Sequence, residues 1–129
     1  MPATAAEPAV TVQDAWIRAL PGSVPSGGYF TARNDGKSME TIVGAQSPAC
    51  GMLMLHQSEN KGGMSSMHEV AGVDIAPGAI LRFEPGSYHL MCMGAKPAIK
   101  PGASVPVTLI FKSGAKLTAN FAVRSAAGK

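Results

Sequence analysis

Two histidines and two methionines in the middle of the chain form the pattern with the clearest chemistry. They occur in the order His56, Met67, His89, Met91, separated by ten, twenty-one and one residues. Neutral imidazoles and thioethers are soft, uncharged donors, and a mixed set of them favours Cu(I) over harder divalent ions, which prefer carboxylate and water. The four side chains are therefore candidate ligands of a single Cu(I) ion.

Further soft donors crowd the same central stretch. Four more methionines lie there: Met52, Met54, Met64 and Met93. The first two share strand parity with His56 and predict either an exposed soft patch near the metal or an apolar docking surface. Met93 shares the parity of Met91 but lies about 7 Å further along the strand, so we expect it to border the site. His68 follows Met67 and would point the other way, which predicts a surface histidine that only Cu(II) would recruit as an additional ligand.

Turn residues punctuate the chain at short intervals and leave short apolar segments between them. Eight segments are rich in β-branched or alternating apolar residues: Ala9–Arg18, Gly28–Asn34, Thr41–Ala45, Met52–Gln57, Ala79–Phe83, Tyr88–Met93, Ser104–Lys112 and Lys116–Val123. This spacing is typical of an all-β sandwich or barrel, and no helical-length window carries a sustained apolar stripe. We predict a flexible segment at 1–8, one β domain over 9–124 and a short tail at 125–129.

Strand parity separates two faces on the segments that carry the histidines, because successive side chains of a strand point to opposite sides. In the first segment, Leu53 and Leu55 form an inward face behind His56. In the second, Leu90 lies behind His89 and the methionine two residues further on. We therefore expect the aliphatic side chains in the core and the imidazole and thioether groups together on the outward face.

The connection between these two segments has no core-building pattern over residues 58–66. Without an apolar period it is predicted to be a mobile connection that brings Met67 to the site. Met67 is accordingly the ligand expected to leave first when copper is passed on.

The two cysteines permit one disulfide if the compartment is oxidising. Cys92 has inward parity beside Leu90, whereas Cys50 shares the outward parity of Met52. Because a disulfide needs the two Cβ atoms within about 4.5 Å, the opposed parities favour two free thiols.

Three aromatic residues near the N-terminus could, together with Arg18, suggest a ligand groove. Large aromatic side chains contribute much of the apolar area of a protein core. We therefore expect Trp16, Tyr29 and Phe30 to pack in the core.

Composition argues against several classes of protein. The formal net charge of +3 comes from scattered lysines and arginines, without the basic clusters of a nucleic-acid binder. The sequence has no apolar run of about eighteen residues, which a membrane span would need. It also lacks the paired carboxylates, the Ser/His/Asp order and the Gly-rich phosphate loop that would predict an enzyme. The Ala/Pro/Thr-rich start shows no signal peptide and resembles that of a mature exported protein, which predicts a periplasmic or extracytoplasmic location.

The four ligand candidates and their three gaps resemble the motif of the PCu(A)C family, periplasmic copper chaperones that deliver copper toward the CuA centre of cytochrome c oxidase. Three surrounding segments are also similar to that family: Asp14–Arg18, Gly28–Phe30 and Pro85–Met91. The resemblance covers residues 9–124 and implies a cupredoxin-like β-sandwich of Greek-key type with a surface-exposed Cu(I) site. It implies a monomeric carrier, not an enzyme, that passes Cu(I) by ligand exchange to or from a protein of oxidase assembly.

The chain departs from the family pattern in two respects, and two other functions stay open. Thiols and extra methionines lie near the site, and the last residues are not the His- or Met-rich tail in which such proteins can hold a second copper. A blue-copper electron carrier would need a Cys thiolate beside two histidines and a weak axial methionine, but no histidine follows Cys92. A Met-rich β-sandwich that docks a protein and holds no metal is the other alternative.

Overall fold

Ten strands run through the part of the chain that the computed structural model describes. That part comprises residues 9–19, 26–61, 64–84, 87–94 and 99–125, with backbone alone for 59–61 and 64–68. The strands are β1 (Val10–Arg18), β2 (Ser26–Asn34), β3 (Glu40–Gln46), β4 (Met52–Lys61), β5 (Met64–Glu69), β6 (Val73–Ile75), β7 (Ile80–Phe83), β8 (Tyr88–Met93), β9 (Ser104–Phe111) and β10 (Lys116–Arg124). Among these residues, no helix is long and apolar enough to cross a membrane. The predicted flexible segment 1–8 and tail residues 126–129 lie outside the described residues.

The strands form one sheet in the order β5-β4-β8-β7-β2-β1-β10-β9-β3-β6, with an additional pairing of β8 to β2. Neighbours are antiparallel except β1 with β10 and the single pair that joins β7 to β8. Strand β3 also packs against β4, although the two are far apart in the sheet order. The sheet therefore curls around one core, and the predicted all-β architecture is confirmed.

Aromatic and aliphatic side chains fill the inside of the curl. The Phe30 ring centroid lies 4.3 Å from that of Phe83 and 5.8 Å from that of Phe121. Leu55 and Leu90, the predicted inward partners of the histidine strands, are buried in the same cluster. Each such side chain stabilises the fold by about 1.5–3 kcal/mol relative to an exposed position, so the core anchors the strands that carry the site.

All eight predicted strands are present, and two were missed. Seven of the eight begin and end within two residues of the predicted bounds, whereas β4 runs four residues further than expected, to Lys61. The predicted mobile connection at 58–66 is wrong in its structure, because β4 and β5 pair there as a hairpin with Ser58 opposite Met67. Strand β5 is at the edge of the sheet. There the backbone N–H and C=O groups form hydrogen bonds with the neighbouring strand, although the sequence shows no apolar period.

The expectation of free thiols is also wrong: Cys50 and Cys92 form a disulfide, with their Cα atoms 5.5 Å apart. Strand parity does not extend back to Cys50, since β4 begins only at Met52. Gly51, which lies between Cys50 and Met52, donates its backbone amide to the carbonyl oxygens of Met93 and Gly94 at 2.9 and 3.1 Å. Cys50 consequently turns inward and is buried next to its partner.

Two of the three aromatic predictions fail, because Trp16 and Tyr29 are only half-buried while Phe30 is fully buried. A bulge in β1 explains the difference for the tryptophan. Asp14 has a φ of 54°, and the register of β1 on β2 shifts just before Trp16. An extra residue reverses the parity downstream, so Ile17 enters the core and Trp16 faces outward.

Candidate metal centre

The register of β4 on β8 brings six soft donors onto one face in three rows. Directly opposed residues share a face, and the opposed pairs are His56 with His89, Met54 with Met91, and Met52 with Met93. The intervening pairs, Leu53 with Cys92 and Leu55 with Leu90, take the core face. The parity prediction for both segments is confirmed. We call the three outward rows the donor ladder.

The two histidines form the first row of the donor ladder. Their ring centroids lie 5.7 Å apart with the ring planes inclined at 61°. Both ring nitrogens of His56 are buried, and neither has a hydrogen-bond partner within the described part of the chain. Leaving buried polar atoms unpaired costs about 1–3 kcal/mol each. A metal ion bound to one of these nitrogens would offset part of that cost, so the ring fits a ligand role.

His89 is held differently from its neighbour. Its Nδ1 lies 3.4 Å from the carbonyl oxygen of Ser87, a long contact. Since a carbonyl only accepts, this contact requires the proton on Nδ1 and leaves the lone pair of the neutral ring on Nε2. Burial lowers the pKa of His89, the Ser87 contact raises it in part, and the neighbouring His56 lowers it. The neutral ring, which is the form that binds metals, is therefore favoured.

The histidines are less exposed than the predicted surface site requires. His89 retains 5% of its accessible surface, and His56 is half-buried. Copper at this pair would sit in a recess of the sheet face rather than on an open surface.

The two predicted methionine ligands differ in what the structure says of them. Met91 is half-buried and follows His89 by two residues on β8, opposite Met54. The backbone of Met67 lies on β5 opposite Ser58, diagonal to His56 in the β4–β5 hairpin. The side chain of Met67, like those of Met64 and His68, is outside the described residues. Ligation by the four residues as a set stays a prediction.

Tyr29 forms a wall of the site that the sequence did not reveal. Its ring centroid lies 6.4 Å from that of His89. The Tyr29 ring lies over Gly27, where a Cβ would come within 2.6 Å of the Tyr29 hydroxyl oxygen. Glycine at this position therefore leaves room for the ring. Gly27 pairs with Met91, so the ring lies beside that methionine. Tyr29 in turn contacts Trp16, with ring centroids 4.8 Å apart. The β1 bulge that turns Trp16 outward carries no strong sequence signal, which is why this wall was missed.

Two arginines cover the far side of this aromatic wall. The guanidinium carbon of Arg18 lies 5.4 Å from the Trp16 ring centroid and 5.8 Å from that of Tyr29, and Arg124 lies 5.0 Å from Trp16. The Nε atom of Arg18 is buried without a hydrogen-bond partner among the described residues. Cations over aromatic faces are stabilised by the ring quadrupole. The site is thus bordered on the β1 side by positive charge.

Harder or thiolate-based metal chemistry finds no support in the described residues. No group of three or more His, Cys, Asp or Glu side chains lies together there. Both cysteines of the chain are in the disulfide, so neither supplies a thiolate. What the face offers is neutral imidazole and thioether, the donor set that favours Cu(I).

Comparison of sequences relates the chain to proteins with lipoprotein names. The family described as "Putative lipoprotein LpqE-like" matches residues 10–123. The protein named "Putative lipoprotein Lxx21020", from Leifsonia xyli subsp. xyli (strain CTCB07), is 35% identical over a 120-residue alignment, and the match covers 88% of this chain and 72% of that protein. Both matches take in most of the β domain and the strands of the donor ladder.

Comparison of structures relates the fold to copper proteins. The Cu(I) form of DR1885 from Deinococcus radiodurans is 33% identical, with a TM-score of 0.72 over 89% of this chain and 78% of that one. The copper-bound PCuAC domain from PmoF2 is 18% identical, with a TM-score of 0.76 over 93% of this chain and 96% of that one. The second likeness shows the fold alone. Together they confirm the predicted cupredoxin-like fold class and the resemblance to PCu(A)C domains.

Proposed function

Since the chain belongs to the LpqE-like family and folds as a PCuAC domain, we propose that it is an extracytoplasmic carrier of Cu(I). In this proposal His56, Met67, His89 and Met91 hold the ion, which is cargo rather than a resident cofactor. No reaction is catalysed. The observation that carries the proposal is the histidine pair, whose rings lie 5.7 Å apart with both nitrogens of His56 buried and unpaired among the described residues.

Release by ligand exchange follows from the chemistry of this donor set. Two neutral imidazoles and two thioethers add no charge, so the site with Cu(I) carries a net charge of only +1. Thioethers bind without losing a proton, and an incoming ligand can replace one of them with no change of protonation or oxidation state. Met67 is the ligand we propose to leave first, because its strand β5 is paired on one side only, at the edge of the sheet.

The proposed partner is a copper-donating or copper-accepting protein of cytochrome c oxidase assembly, at the CuA centre. The extracytoplasmic location is supported by the disulfide, because such bonds persist in oxidising compartments, and by the lipoprotein names of the family and of its relative. The two arginines beside Trp16 favour a partner whose contact surface is acidic near the metal.

The test is a Cu(I) titration of the purified protein followed by X-ray absorption. We expect one tightly bound equivalent with two nitrogen and two sulfur neighbours. His56→Ala should weaken Cu(I) binding by more than about tenfold, since losing even an outer partner of a metal ligand costs about 10–100-fold in affinity. His68→Ala is the matched control and should bind as the wild type does. A protein that binds no Cu(I), or a His56→Ala variant with unchanged affinity, would overturn the proposal.

The blue-copper alternative is disfavoured by a specific observation. Its defining ligand is a Cys thiolate, and both cysteines of this chain are joined in the disulfide. A metal-free docking module is separated from the carrier by the same titration, because it should bind no Cu(I).

A further inference from the structure

The donor ladder continues beyond the proposed carrier site, and three of its methionines, Met52, Met54 and Met93, have no role there. The exposed fraction rises along it, from 5% at His89 to 39% at Met93 and 58% at Met52. We propose that Met52, Met54 and Met93 form a second, weaker Cu(I) site, at which the ion first contacts the protein before it moves to the histidines. This inference rests on the proposed function and adds to it an intake site made of thioethers alone.

The spacing of the ladder suits a thioether site. Opposed residues of an antiparallel pair have Cβ atoms about 4.5–5.5 Å apart, and rows on one face follow one another at about 7 Å. Methionine has three rotatable bonds and a polarisable sulfur, so side chains from two adjacent rows can converge on one ion. The row of Met52 and Met93 and the row of Met54 and Met91 are adjacent in this way. The middle row therefore borders both the outer row and the histidines.

The outer end of the ladder is open to the solvent. Gly51 and Gly94 lie beside Met93 in the backbone contacts that end the two strands, and neither brings a side chain to cover the thioethers. On the β2 side, the residue opposite Met91 is Gly27. On the other side, β5 begins to pair with β4 only at His56, so the stretch from Met52 lies beyond it. An ion from solution can thus reach the outer row first.

The distribution of side-chain types separates this inference from a plain apolar surface. On the core face of β4 and β8 the apolar residues are leucine, one bridged cysteine and one tyrosine: Leu53, Leu55, Leu90, Cys92 and Tyr88. On the outward face they are all methionine: Met52, Met54, Met91 and Met93. Leucine and methionine are close in volume and exchange at small cost where only packing matters. The separation of leucine on the core face from methionine on the outward face is instead expected if the outward positions need sulfur.

Movement along the ladder needs no redox partner and no proton transfer. Cu(I) held by Met52, Met54 and Met93 gains a bond to the sulfur of Met91 as the bond to Met52 or Met93 breaks. It then gains the two imidazole nitrogens and the sulfur of Met67, as the sulfur of Met54 and the remaining sulfur of Met52 or Met93 leave. The ion stays Cu(I) throughout, and each donor is neutral before and after the step. In this proposal the site with the histidines binds Cu(I) more tightly than the thioethers alone, which gives the movement its direction.

The experiment uses the protein labelled with carbon-13 at the methionine methyl groups, titrated with Cu(I) under anaerobic conditions. We expect the first equivalent to shift the methyl signals of Met67 and Met91, and the second to shift those of Met52, Met54 and Met93. The variant Met52→Leu/Met93→Leu should bind one equivalent instead of two and should load its histidine site several-fold more slowly. Met39→Leu is the matched control, since Met39 is 53% exposed and directly precedes β3, on neither β4 nor β8.

The outcomes separate the two proposals. If the wild type binds one equivalent of Cu(I) and the double variant loads at the same rate, the intake site is wrong and the carrier function stands. If a second equivalent binds but shifts no methyl signal of the ladder, the intake site is also wrong. If no Cu(I) binds at all, the carrier function itself fails. A double variant that keeps its first equivalent shows that it is folded.

Discussion

At the scale of single residues, the two histidines of the site are prepared in different ways. His89 is buried and its Nδ1 contacts the Ser87 carbonyl, which puts the lone pair of the neutral ring on Nε2. His56 has both nitrogens buried and unpaired among the described residues, so either one can turn to the ion. The spacing in the sequence predicted both residues as ligands, and the register of β4 on β8 places them opposite each other. The spacing did not identify Ser87 or Tyr29, because those contacts follow from strand register and from a bulge rather than from a residue pattern.

The lowered pKa of His89 gives a prediction about pH. Burial is the main cause, and the ordinary value is 6.5, so the NMR titration of His89 in the copper-free protein should have its midpoint below 6.5. Between that midpoint and the ordinary value, the unfolded chain binds a proton that the folded protein does not. The free energy of unfolding should therefore fall as the pH falls through this window.

Urea unfolding at a series of pH values from neutral to mildly acidic measures this effect. His89→Gln has no titratable group at the position and should lose this part of the decline. A midpoint above the ordinary value in the wild type would contradict the burial of the ring.

At the scale of elements, the site depends on the pairing of β4 with β8. A slip of one residue would send the imidazoles to the core face and the leucines outward. The Cys50–Cys92 disulfide joins the start of β4 to the end of β8 and so opposes such a slip. Parity predicted the faces of both strands. It failed at Cys50, because the chain leaves regular strand geometry at the neighbouring Gly51.

Breaking the disulfide should weaken both the fold and the site. The bond closes a separation of 42 residues, for which the chain-entropy model gives about 4 kcal/mol of stabilisation. Urea unfolding of the oxidised protein, the reduced protein and Cys50→Ala/Cys92→Ala should show a loss of about this size. Cu(I) affinity should fall as well, because the histidine row is no longer held in register.

A control distinguishes this effect from general destabilisation. Leu109→Ala, in the core and on β9, should cost about 2–5 kcal/mol and leave the Cu(I) affinity of the folded protein unchanged. Equal affinity in the oxidised and reduced proteins would show that the disulfide has no part in positioning the site.

At the scale of the whole molecule, the sequence predicted the class of fold and most strand bounds, since turn residues and apolar alternation are local signals. The order of strands is not local. The parallel pairing of β1 with β10 joins segments near opposite ends of the chain, and no pattern in either segment specifies its neighbour. The edge strand β5 was missed for a related reason, because it pairs through its backbone and shows no apolar period. The sequence therefore predicted a candidate set of ligands, but it could not predict the burial of the two histidines or the aromatic side chain beside them.

The last prediction concerns the balance between stability and copper binding. The buried nitrogens of His56 have no hydrogen-bond partner in the part of the chain that the structure describes, which costs stability in the copper-free protein. His56→Leu should therefore unfold at a higher urea concentration than the copper-free wild type. Cu(I) binds the folded state and should raise the free energy of unfolding of the wild type by about 2.7 kcal/mol when free Cu(I) is about 100 times the dissociation constant. The variant should gain little.

The wild type should therefore be less stable than His56→Leu without copper and more stable with it. A side chain kept for binding a ligand lowers the free energy of unfolding until the ligand is bound. Paired urea titrations with and without Cu(I) measure the reversal, and Met39→Leu should follow the wild type in both. If copper-free His56→Leu were instead destabilised by about 2–5 kcal/mol, the range for truncated core residues, His56 would be a packing group. The case for a prepared ligand would then rest on His89 alone.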